Sequence, residues 1–153
     1  MTSTYKQVRD VLNAVNNFHK QLSDFYAKLM ENSDKERVRM LLDYMSRHEE
    51  NFKKATAEYN QQATEKLLDT WIQYSPDLGE LSLPEPEEID KDMTVDDVVD
   101  IAMKMDENLV EFYSKAAQMV DVQEAKLLFN KMQEQEKAEE AELRKNAQQI
   151  KRL

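Results

Sequence analysis

At 153 residues the chain fits one domain with one core, and one glycine and three prolines are too few for the turns of a β-fold, so it reads as long helices. A formal net charge of -10 repels phosphate and anionic lipid, which argues against nucleic-acid and membrane partners; cations or a basic protein are attracted, though acidity also simply keeps a bundle soluble. With no cysteine there are no disulfides, thiolate nucleophiles, zinc ribbons or iron–sulfur centres, and with no apolar leader at Met1–Lys6 and no membrane-length run the expected location is the cytoplasm.

The first helix is expected from about Thr4 to Glu31, with the apolar stripe Val8, Leu12, Val15, Leu22, Tyr26, Leu29. Asn32-Ser33-Asp34 breaks it, and Ser33 or Asp34 is the expected N-cap of a second helix running from about Lys35 to Gln61. The second stripe is Val38, Leu42, Met45, Phe52, Tyr59. So short a break between long helices predicts an antiparallel hairpin over about 4–61.

Between about 62 and 93 the character changes. Leu67, Leu68, Trp71, Ile72 and Tyr74 suit a short helix packed along the bundle, with Trp71 as a packing latch. Ser75-Pro76-Asp77-Leu78-Gly79 signals a turn, and Leu83-Pro84-Glu85-Pro86-Glu87-Glu88 is extended and acidic. Thr94 with Asp96 and Asp97 marks the start of a third helix, whose stripe to about Val120 is Val99, Ala102, Leu109, Tyr113, Ala116, Val120. The fourth runs from near Val122 to the end, with Ala125, Phe129, Met132, Leu143 and Ile150 inward and Arg144, Lys145, Lys151 and Arg152 near its negative end.

The halves repeat. Phe25-Tyr26 returns as Phe112-Tyr113, an offset of 87, and at that offset Leu22 meets Leu109, Asp34 meets Asp121, Met45 meets Met132 and Glu49 meets Glu136. Two hairpins, about 4–61 and 94–153, dock to bury stripes that neither buries alone. The long connection predicts a crossover along the bundle, with the second and third helices parallel. The fold class is therefore all-α, a single four-helix-bundle domain over 1–153.

Each stripe is interrupted by polar residues: His19, Glu49, Asp106, and Glu136 with Glu139. Buried carboxylates are costly unless paired, protonated or bound to a cation, and four of them with an imidazole at one level invite a metal, iron or manganese before a soft one. His48 is expected in solvent. The equally physical alternative is a metal-free cluster in which His19 pairs with Asp106 or Glu49, with Tyr26 and Tyr113 as core residues.

The pattern resembles ferritin-like proteins, rubrerythrin in particular, over nearly the whole chain. That family places a Glu seven residues before a Tyr on helix one and Glu-x-x-His on helix two, and repeats both on helices three and four. By this resemblance the Glu positions fall on His19 (with Tyr26) and Asp106 (with Tyr113), and the Glu-x-x-His positions on Glu49-Glu50-Asn51-Phe52 and Glu136-Lys137-Ala138-Glu139. Both family histidines are absent, and Phe52 has no donor atom. The resemblance implies iron, or else manganese or zinc, among His19, Glu49, Asp106, Glu136 and Glu139, and an iron-dependent oxidoreductase acting on oxygen or peroxide if the site is active. No residue is assigned a catalytic role. The other reading is a non-catalytic interaction or scaffold protein with a decayed di-iron site. A homodimer through an outer helix face is compatible with either, and the sequence names no seam or protein partner.

Overall fold

A computed structural model describes residues 6–72, 83–84 and 92–153. Expectations for Met1–Tyr5, Tyr74, the Ser75–Gly79 turn and Glu85–Glu88 lie outside these residues. Four long helices carry the fold: α1 (Val8–Glu31), α2 (Glu36–Gln62), α4 (Val95–Gln118) and α5 (Gln123–Lys151). Between the hairpins lie the one-turn helix α3 (Glu65–Leu68) and a two-residue strand β2 (Trp71–Ile72), paired antiparallel with β1 (Lys6–Gln7).

Polar ties at the helix ends fix the order. Arg9 on α1 reaches Glu65 at 2.9 Å and Asp69 at 2.7 Å, which brings the end of α2 beside the start of α1. At the other end of the bundle, Lys35 Nζ donates to the Asp92 carbonyl at 2.6 Å. The start of α4 therefore lies at the same end as the start of α2, and the two helices run parallel as expected. Lys151 reaches Asp96 at 3.0 Å and closes the second hairpin. Such exposed pairs contribute little energy but report direction.

The core is one cluster along the axis. Leu22 and Leu109, Phe112 and Phe129, and Tyr26 and Tyr113 are essentially fully buried. Each stripe is wider than the minimal heptad reading: Val11, Phe18, Leu41 and Val98 are also buried, and Val98 takes the inward position expected of Val99, which is half-buried. A helix in a globular bundle hides about a third of its circumference, more than a two-position seam.

The caps differ from expectation at one helix and match at another. Lys35, and neither Ser33 nor Asp34, is the N-cap of α2, with no side-chain cap. Arg39 instead holds the turn by donating to the carbonyls of Met30 at 2.9 Å and Ser33 at 3.3 Å. At α4, Thr94 Oγ1 accepts from Asp97 N at 3.1 Å and Asp97 Oδ2 accepts from Thr94 N at 2.9 Å, a full capping box. Thr94→Ala is expected to lower the unfolding free energy by about 1 kcal/mol in urea titration.

Trp71 is not a latch. Its side chain is 59% exposed, and Ile72, with Leu68, takes the interior. The expected short helix ends at Leu68, residues 71–72 are extended, and alternation on a strand sends neighbouring side chains to opposite faces.

Candidate functional site

The bundle centre is built by one inward residue from each long helix. Two serines set the register of α1 against α2. Ser23 Oγ donates to the Ser46 carbonyl and Ser46 Oγ to the Ser23 carbonyl, both at 3.0 Å. Small side chains allow this close approach. One turn away along each helix, it places His19 directly opposite Glu49.

His19 is wholly buried, and its Nδ1 lies 2.6 Å from Glu49 Oε2. Its Nε2 lies 3.3 Å from Glu136 Oε1 on α5. That second contact is electrostatic, because neither atom has a properly aligned hydrogen bond. Phe52, half-buried on α2, stacks on the imidazole with ring centroids 5.0 Å apart. His19 is thus held from two sides by acids and covered on its flat face by carbon.

Burial alone pushes the His19 pKa down, but Glu136 and Glu49 outweigh it and lift it to about 10, so the ring is imidazolium at neutral pH. Burial raises Asp106 far above the carboxylate range, and the neighbouring Glu136 and Glu49 raise it further. Glu136 is also raised by burial, with His19 opposing. The cluster therefore holds one firm ion pair, His19 with Glu49, and keeps Asp106 protonated. Tyr26 and Tyr113 are buried beside it, and burial followed by nearby acids pushes both phenols well above their ordinary value.

Four expected site residues, His19, Glu49, Asp106 and Glu136, are buried in the core, one from each long helix. His19 touches Glu49 and Glu136, and makes no ion pair with Asp106. Glu139 is not among them: it is half-buried and pairs with His48 Nε2 on α2. The expectation that Glu139 projects into the core and that His48 sits free in solvent is corrected. Three residues along a helix is about 300° of turn, so Glu139 sits about 60° off the direction of Glu136, toward α2. Phe52 stands in the same relation to Glu49 and is likewise half-buried.

Sequence reasoning missed the pairing of His48 and the Ser23–Ser46 contact. For the serines a signal existed: one small polar residue at matching depth on each helix of a hairpin.

The family model for rubrerythrin matches residues 20–147. The chain belongs to the rubrerythrin family. Its fold is similar to that of a Thermotoga maritima protein, provisionally named a ferritin-like diiron-carboxylate protein and solved by crystallography at 2.30 Å. The two share 18% identity, with a TM-score of 0.61 over 96% of this chain and 98% of the other. At that identity the likeness concerns the fold alone. No curated protein matches the chain.

This rubrerythrin-family chain does not fit a di-iron pair. Where the family carries its first Glu, an imidazolium occupies the space; where it carries one His, Phe52 presents carbon; and Glu139 is turned away toward His48. Among the described residues, no three His, Asp or Glu side chains are arranged to hold a metal ion. Nor is any described helix long and apolar enough to cross a membrane.

Proposed function

We infer that this rubrerythrin-family protein carries a built-in cation in place of a metal and serves as a non-catalytic interaction or scaffold protein. The observation that carries this reading is His19, fully buried, with Nδ1 2.6 Å from Glu49 and Nε2 3.3 Å from Glu136. A protonated imidazole there neutralises a carboxylate from a second helix and lies against a third, which is the structural task that a metal performs in a carboxylate bundle. Function then belongs to the outer surface, where the net charge of -10 favours a basic protein face, on another protein or on a second copy of this chain.

A single divalent ion, iron or else manganese or zinc, is the second reading. It is favoured by Glu136 Oε1, a buried oxygen with no hydrogen-bond partner, and it requires the His19 ring to leave its place. One experiment separates the two. The chain is purified without a polyhistidine tag, loaded anaerobically with ferrous iron, desalted and analysed for metal. The expected result is well below one iron per chain and a melting temperature unchanged by iron or chelator. Stoichiometric iron that disappears in Glu136→Ala and Asp106→Ala establishes the metal protein and removes the first reading.

A further inference from the structure

A small cavity lies beside the cluster. Tyr26, Glu49 and Asp106 line it within the core, and Tyr44, His48 and Glu139 line it toward the surface. It leaves about 20 Å³ for the centre of a water molecule, room for a single water.

Asp106 is the reason to look there. The residue is only 4% exposed, it borders the cavity, and no hydrogen bond or ion pair to its carboxyl is seen among the described residues. A buried carboxyl without a partner is rare, and an ordered water is the usual remedy where space and further polar groups exist. Both conditions hold. Glu49 Oε2 is taken by His19, so its other oxygen remains for a second partner, and Tyr26 lines the same cavity. On the outer side, the His48–Glu139 pair ties α2 to α5. These two side chains are 31% and 15% exposed, so the pair stands between solvent and the buried acids.

We propose that this cavity is a one-water binding site on Asp106, closed from solvent by the His48–Glu139 pair. The water accepts or donates at Asp106 and Glu49 and completes the polar partners that the protein leaves open. The pair governs how fast that water exchanges. The proposal rests on the metal-free reading in one respect: the occupant is solvent and not an ion.

The test uses the full chain, stripped of metal by chelator. A crystal map to about 1.5 Å is expected to show one spherical peak within hydrogen-bond distance of the Asp106 carboxyl, without anomalous signal at the iron edge. An anomalous peak instead overturns this proposal and the metal-free reading together. An empty cavity overturns the proposal alone. In solution, oxygen-17 magnetic relaxation dispersion counts long-lived internal waters. Asp106→Leu is expected to lose one such water relative to the parent and Asp106→Asn to keep it, while His48→Ala shortens its residence at least tenfold. An equal count in the parent and in Asp106→Leu, or an unchanged residence time in His48→Ala, overturns the site or its closure respectively.

Discussion

Replacing His19 with leucine is expected to lower the unfolding free energy by about 3–5 kcal/mol at pH 7, the usual cost of removing one partner of a buried ion pair. The imidazolium stands between Glu49 and Glu136, both at least nine-tenths buried. Without it, those acids must either stay charged in a dry interior or take up protons at neutral pH. A domain of this size is typically stable by about 5–15 kcal/mol, so one substitution removes a large share. The loss belongs to stranded charge and not to lost volume, since leucine fills comparable space. The triple variant His19→Leu, Glu49→Gln, Glu136→Gln is therefore expected to recover most of it. Urea unfolding of the three proteins decides the matter, and a single-variant loss below about 1 kcal/mol shows that the pair does not stabilise the bundle.

The fold is expected to be more stable at pH 5 than at pH 9. His19 has its folded pKa raised from 6.5 to about 10, so its contribution is complete below 6.5 and lost as pH rises through about 10. Asp106 and Glu136 are raised from ordinary carboxyl values of 3.8 and 4.5. Each binds its proton more tightly in the folded chain, so each contribution is also complete at low pH and fades as the unfolded chain ionises. All three act in one direction, and stability declines from about pH 4 upward. Asn reproduces the protonated form of Asp106 at every pH. Asp106→Asn is thus expected to stabilise the chain by about 2 kcal/mol at pH 8, or about 4–8 °C in Tm, with little change near pH 4. Calorimetry of the parent and variant across this range checks both claims, and parallel Tm profiles would falsify the assignment to Asp106.

Much of this was legible in the residues. Long periodic stripes with few glycines and prolines located all four long helices to within a few positions. The inward positions of His19 and Asp106 followed from their spacing to Tyr26 and Tyr113, and those of Glu49 and Glu136 from the stripes of Met45 and Met132. What periodicity could not resolve was rotation within the edge of a stripe. Between Met132 and Leu143 helix α5 offers few large apolar residues to fix its inner face, so Glu136 and Glu139 looked equivalent. Only the position of α2 alongside, with His48 facing Glu139, separates them. Trp71 failed for another reason: its placement depends on a two-residue strand pairing with Lys6–Gln7, a contact between distant segments that no local pattern encodes.

The polar centre also bears on why the two hairpins stay in one chain. Where the first carries His19 and Phe52, the second carries Asp106 and Glu139. A self-paired first hairpin would set two imidazoles and two phenyl rings against two glutamates. A self-paired second would bring Asp106 and Glu136 of both copies, two aspartates and two glutamates, to one centre with no positive group to answer them. The imidazolium of the first hairpin faces Glu136 of the second, so each half needs the other to bury its polar centre. A covalent tether keeps that second half always within reach.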